Sequence, residues 1–263
     1  MAPPEIARRL DERFRLLAGG SRRSQERHRT LLATVSWSHD LLGDDERAVF
    51  RRLAVFPATF DLRAAEAIAG DDTIDVVDCV LRLVDRSLVV YEPDVDRYRL
   101  LETLRQYGAD RLAEAGETLD VRARHAHHFL AFVEQMEVSL SDARYPTARV
   151  ATALELDNIR AAVEWCSDHD RWAELAATVR RLWFFLGQDA TSDRASWYRL
   201  LLAHGDQLDD QVLVEVLAGA AWLEVQTLGN PAAGIDLAEQ STALAAELGV
   251  LPSPWAANSM TMA

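Results

Sequence analysis

The sequence predicts a mainly α-helical chain interrupted by one small β-hairpin, and three observations carry that prediction. Apolar residues recur at helical spacing in nearly every segment. Only the stretch from Leu88 to Leu101 is β-branched and aromatic enough to pair as strands, around a Pro93-Asp94-Val95-Asp96 turn. Beyond residue 117, equivalent helices recur at roughly 40-residue intervals, the scale of a helical-hairpin repeat.

Taken in order, Glu5 to Ala18 predicts a helix with Ile6, Leu10, Phe14 and Leu17 on one face, stopped by Gly19-Gly20. A polar linker follows, then a helix to Leu42 with Leu31, Val35, Ser38 and Leu42 on one side. Trp37 lies on the other side, which predicts a helix buried on two faces. Asp44-Asp45-Glu46 supplies the acidic first turn of the next helix, whose core face reads Phe50, Leu53 and Phe56 before Pro57 breaks it. Asp61 is placed to cap Leu62 to Ala69. Thr73 is the expected cap of a helix carrying Val77, Val80, Leu81 and Val84. Leu88 to Tyr91 and Tyr98 to Leu101 are the two predicted strands, followed by a helix from Glu102 to Ala115 that Gly116 ends. A helix closing on a two-stranded hairpin is the outline of a winged helix.

Only helices are expected from there on: Leu119–Leu140, Ala151–Ser167, Trp172–Leu186, Ser196–His204, Gln211–Leu228 and Ala232–Leu248. Small residues such as Ala218, Ala221, Ala238 and Ala245 allow close helix packing in the tetratricopeptide style. The predicted fold is thus a winged-helix domain followed by a tetratricopeptide-like α-solenoid. Its divisions are 1–22 (the remnant of an upstream helical subdomain), 23–116 (winged helix), 117–250 (repeats) and 251–263 (irregular tail). No polar capping element is visible at the end, so the solenoid reads as cut short.

Composition excludes several classes. A formal charge of −14 argues against a phosphate-binding surface, which is built on basic patches. No apolar run approaches the roughly 20 residues that span a bilayer, so a cytoplasmic chain is expected. Cys79 and Cys166, the only cysteines, read as neither a disulfide framework nor a zinc site, and Cys166 falls on an apolar helix face. The chain contains no lysine, and no Gly-x-x-x-x-Gly-Lys, Gly-x-Gly-x-x-Gly, Gly-x-Ser-x-Gly or His-Glu-x-x-His motif occurs. No enzyme activity, catalytic residue, metal or cofactor is therefore expected.

Three constellations merit weighing. His125, His127 and His128 share a helix, but no Glu-x-x-His partner accompanies them, so they read as polar flanks of a core stripe. Arg22, Arg23, Arg27 and Arg29 form the most basic stretch, suited to an anion or an interdomain contact, though a plain linker is the simpler account. The winged helix as a DNA reader would lead with Asp71, Asp72, Asp75 and Asp78, the wrong sign for phosphates. Trp197, Tyr198 and Trp222 are candidate contact aromatics on the repeat surface.

The segments RLDERFRLLAGGSR, RHRTLLATVSWSHDLL, ERAVFRRLAVFPATFDLRAAEAI, LVDRSLVV and RYRLLETLRQYGADRL resemble, in that order, the STAND-class signalling ATPases. These are the AfsR-like or LuxR-associated bacterial regulators with an NB-ARC core. RARHAHHFLAFVE and LELDNIRAAVEW resemble the start of that family's repeats. The resemblance implies that the Walker motifs lie before residue 1. It also implies that Leu100, Leu101 and Glu102 occupy the place of a Met-His-Asp triplet that senses nucleotide phosphate. Leucine cannot donate that hydrogen bond, whereas Glu102 could cap the helix it begins. The expectation is a non-catalytic regulatory part of a transcriptional regulator. Its winged helix would control an ATPase module, and its repeats would bind a protein or a ligand of unknown identity. The alternatives are a free-standing adaptor and a DNA-binding winged-helix regulator. Nucleic acid and membrane are not expected as partners.

Overall fold

A computed structural model of the chain describes residues 35–136, 143–184, 191–251 and 253. The chain divides into two compact units, the first made of residues up to Val55 and Asp61–Thr118, the second of Phe56–Phe60 and the residues from Leu119 onward. The expected boundary after Gly116 lies close to this division, but the transfer of Phe56–Phe60 to the second unit was not expected.

In the first unit, residues 35–40 are helical and lead into α1 (Asp44–Leu53). Glu46 reaches back to accept from the Gly43 N–H at 2.8 Å, and the acidic first turn and basic last turn both suit the helix dipole. Trp37 is 65% exposed, so residues 35–40 are buried on one side only, the side of Val35. Asp61 caps α2 (Leu62–Ala69) by accepting from the Ala64 N–H at 2.7 Å.

α3 (Val76–Asp85) is capped by Asp75, which accepts from the Asp78 N–H at 3.0 Å. The expected cap, Thr73, is instead held by Asp71, which accepts from both its N–H and its hydroxyl. The buried face of α3 is Val76, Cys79, Val80 and Leu83. Leu81, expected in the core, is 48% exposed, because the helix turns Val76, Cys79, Val80 and Leu83 inward and Leu81 falls at the edge of that face.

The hairpin pairs β1 (Val90–Glu92) with antiparallel β2 (Arg97–Arg99), in the register Val90↔Arg99, Tyr91↔Tyr98 and Glu92↔Arg97. Both strands are displaced from Leu88–Tyr91 and Tyr98–Leu101. The N–H groups of Leu88 and Val89 donate to the Leu83 carbonyl and close α3, so the ladder starts at Val90. At the far end Leu100 turns into the core. In α4 (Glu102–Glu114), Gly108 is forced by close approach: a Cβ there would sit 2.9 Å from the Ala54 Cβ.

The second unit contains α5 (Thr118–Gln135), α6 (Tyr145–Leu154), α7 (Leu156–Asp168), α8 (Trp172–Arg181), α9 (Thr191–Ala203), α10 (Asp210–Gln226) and α11 (Pro231–Leu248). The expected helix Ala151–Ser167 is two helices, broken at Glu155, and α8 ends in a 3-10 turn over Leu182–Phe184. From α7 onward each helix packs on the next, so the array is built of successive helical hairpins. Small residues set its tightest pair. Ala218 and Ala221 of α10 meet Ala238 of α11, and a Cβ on Gly234 would lie 2.9 Å from the Ala221 carbonyl oxygen. Ser241 closes this seam by donating to the buried Val214 carbonyl at 2.8 Å.

Phe56 lies beyond the end of α1 rather than on its core face, because Pro57 forbids further helix. It stacks on Phe60 at 4.5 Å and meets the rings of His125 and Phe129 on α5. Both phenylalanines are buried. Among the described residues, no helix is long and apolar enough to cross a membrane.

Candidate functional site

The helix that precedes the wing is the part of a winged helix that could read a groove, and here its solvent face is Asp78, Leu81, Arg82 and Asp85. Arg82 pairs with Asp78 at 2.7 Å, which offsets its charge on this face. Arg86 is likewise engaged, donating to the Leu41 carbonyl at 3.3 Å with Glu46 at 3.6 Å. Between the N-termini of α1 and α3 lies a cavity of about 420 Å³, lined by Asp44, Asp45, Glu46, Asp75 and Asp78 together with Arg82. On the hairpin, Arg97 is buried and Arg99 donates to Glu92 at 2.5 Å. The tip keeps Asp94 and Asp96, the latter accepting from the Tyr91 hydroxyl at 2.8 Å. This face is acidic, with an exposed leucine at its centre.

A second arrangement in the first unit joins residues far apart in the chain. Glu117 accepts from Arg51 at 2.6 Å and from Arg52 at 2.9 Å, and Arg52 also reaches the Ala69 carbonyl and Asp71, both at 3.0 Å. Burial works to raise the Glu117 carboxyl, but the two guanidinium groups hold it below its ordinary value. Hydrogen bonds from Thr73 and then Arg52 pull the exposed Asp71 carboxyl down to about 2. This clasp ties the C-terminal ends of α1 and α2 to the chain beyond α4. Nothing local announces it, because its partners lie 65 residues apart.

The second unit is centred on a buried amide network. Asn158, fully buried on α7, donates through Nδ2 to the Thr59 carbonyl at 3.0 Å and to Glu155 at 2.7 Å, and its Oδ1 lies 3.3 Å from His125 Nε2. With both amide hydrogens committed, Oδ1 must accept, so His125 carries its proton on Nε2. Burial among the aromatic rings pushes His125 down to about 4, although Asn158 opposes the shift. His127 is exposed against the edge of Trp165, and His128 packs its ring against Phe129. The three histidines therefore do not converge. Cys166 is fully buried, and burial raises its thiol to about 12.

The sequence-derived site residues are scattered. Leu100 is buried, and Leu101 is exposed and takes the N-cap position of α4. Glu102 is the first helical residue rather than the cap, its carboxylate bonded to Arg105 and Gln106. Trp197 and Tyr198 are only 6% and 3% exposed, so they pack the array and offer no contact surface. Tyr198 fills the space beside Gly219, where a Cβ would lie 2.5 Å from its hydroxyl. Trp222 is half-buried, edge-on to Trp183 at 4.9 Å. Arg22, Arg23, Arg27 and Arg29 lie outside the described residues.

Residues 42–113 match the family model of a winged helix-turn-helix domain, the class that the helix-and-wing geometry of the first unit defines. Among curated proteins, the chain is 37% identical to a protein of Mycobacterium tuberculosis named provisionally as an HTH-type transcriptional regulator. The match covers 95% of this chain and 30% of that relative, and a counterpart in Mycobacterium bovis matches equally. An uncharacterised protein of Mycobacterium tuberculosis is 42% identical over 49% of this chain and 34% of its own length. The chain thus spans about 30% of the length of the first of these relatives. Among solved structures, a signal transduction ATPase with numerous domains and a tetratricopeptide-repeat sensor, from Pyrococcus horikoshii, aligns with a TM-score of 0.38. That alignment has 14% identity and covers 84% of this chain and 34% of that one.

Proposed function

We propose that the chain is a non-catalytic regulatory part of a STAND-type transcriptional regulator. Its winged helix controls an NB-ARC-type ATPase module by protein contact, and its helical array binds the protein or ligand that sets the state. The observation that carries this reading is the face of α3, where Asp78, Leu81 and Asp85 stand exposed and Arg82 is paired with Asp78. An acidic helix with a central leucine repels phosphate and suits a protein surface. The names of the mycobacterial relatives support a place in transcriptional control.

The same names support a second reading, in which the winged helix itself binds DNA. A gel-shift at low salt separates the two, since non-specific affinity is greatest there. The regulatory reading expects no retarded DNA and no ATP binding by calorimetry. It also expects that Leu81→Glu weakens the chain's capture of an NB-ARC-type ATPase module. Retention of DNA at low salt, abolished by Arg82→Ala, would establish the DNA-binding reading instead.

A further inference from the structure

Glu46 is 5% exposed and lines the cavity between the N-termini of α1 and α3. Its Oε2 accepts from the Gly43 N–H at 2.8 Å, with Arg86 at 3.6 Å. Its Oε1 has no hydrogen-bond partner, the one buried carboxylate oxygen so placed among the described residues. Asp44, Asp45, Asp75 and Asp78 share the same walls with Cys79 and Arg82. Asp75 accepts from the Asp78 N–H at 3.0 Å, Asp78 pairs with Arg82 at 2.7 Å, and Asp45 is exposed beside them. Leu81, one position before Arg82 on α3, is 48% exposed.

Charge count decides the field in this cavity. Five carboxylates face one guanidinium, and each helix N-terminus adds only about half a positive charge. Helix capping accounts for the oxygens of Glu46 and Asp75 that hold N–H groups, but it leaves Glu46 Oε1 without a donor. The Cys79 thiol registers the same field: burial raises it, and Asp45, Asp78 and Glu46 push it further up. A metal ion is the poorer occupant, because among the described residues no group of histidines, cysteines and acids could hold one. A guanidinium fits better. Its planar fork donates to several oxygens at once, and it gives up its hydration more readily than an ammonium.

We propose that this cavity receives an arginine side chain of a partner protein, whose guanidinium donates to Glu46 Oε1 and Asp45 while an apolar neighbour covers Leu81. This names the chemistry of the surface that the winged helix would contact, and it rests on the proposed regulatory reading only for the identity of that partner.

The test titrates the full chain into a dye-labelled synthetic peptide of alternating arginine and leucine, following fluorescence anisotropy at low salt. The control peptide carries citrulline, the uncharged isostere, at every arginine. Saturable binding is expected for the arginine peptide and none for the citrulline peptide. Glu46→Gln and Asp75→Asn should each weaken it by about tenfold. Both variants keep an oxygen to accept from the Gly43 or Asp78 N–H, so their melting temperatures should stay close to the parent's. Glu239→Gln and Glu247→Gln, on the exposed side of α11, remove the same charge and should change binding by less than about twofold. No saturable binding, equal binding of the citrulline peptide, or equal weakening by the α11 variants would each overturn the site. Peptide binding as expected without capture of an NB-ARC-type ATPase module would leave the site standing and remove the regulatory reading. Capture of that module undiminished by Glu46→Gln would do the reverse.

Discussion

The two units hold their chain together by different polar contacts. The winged helix is fastened by charge, with Arg51 and Arg52 gripping Glu117 and Asp71 at its margin. The helical array is fastened at its centre by a buried side-chain amide, where Asn158 joins His125, Glu155 and the Thr59 carbonyl in a site closed by phenylalanine rings. A charged clasp at a partly wet edge tolerates loss of a partner, because water can replace it. A buried amide has no such substitute. The array should therefore be the more brittle unit towards polar substitutions, and the two should respond to acid at different pH.

The largest effect is expected for Asn158→Ala, which removes a donor to the Thr59 carbonyl and the acceptor facing His125 at once. It should destabilise the array by about 3 kcal/mol. Tryptophan fluorescence reads this directly, since Trp165, Trp172, Trp183 and Trp197 are buried in the array whereas Trp37 is exposed. A chemical denaturation midpoint unchanged by the substitution would break the comparison.

Acid should separate the units next. His125 stays neutral in the fold down to about pH 4, whereas the unfolded chain takes up the proton near 6.5. Its contribution is complete above pH 6.5 and is lost as pH falls towards 4, by about 3 kcal/mol in all. Asp71 and Glu117 have lowered values, so the stability they lend is present above the ordinary carboxylate range and disappears only below it, towards pH 2 for Asp71. The array should thus weaken first on acidification. His125→Gln should flatten the upper part of that profile, as seen by fluorescence-monitored melting from pH 7 to 4.

Glu117→Ala should cost the winged helix about 2 kcal/mol, between the values typical of exposed and buried pairs, and leave the fluorescence transition of the array in place. Hydrogen exchange in α1 and α4 would report it. The smallest effect runs the other way. Ser87 ends α3 with φ at 59°, a conformation glycine adopts freely, so Ser87→Gly should stabilise the winged helix by about 0.5–1 kcal/mol in the same exchange assay.

Local chemistry in the sequence revealed most of the elements. Asp61 announced its cap, Gly116 its helix end, and the Pro93–Asp96 turn its hairpin, because each acts within a few residues. Errors of one or two positions arose where two local options competed. Thr73 and Asp75 were both able to cap α3, and Asp75 does so. What stayed hidden was decided by tertiary partners. Glu117 reads as one more surface acid until Arg51 and Arg52 are seen beside it. Trp197 and Tyr198 look like contact residues only while the depth of α9 in the array is unknown.

The five residues from Phe56 to Phe60 decide how this polypeptide can be cut or shuffled. A fragment begun at Leu119 would lose the Phe56 ring from against Phe129, the Phe60 ring stacked on it, and the acceptor that orients Asn158, opening a greasy hollow in its own middle. Such a piece should clump when expressed alone. Any recombination that transplants the array into another regulator has to carry the preceding loop with it. The inheritable module is accordingly longer than the row of helices it ends in.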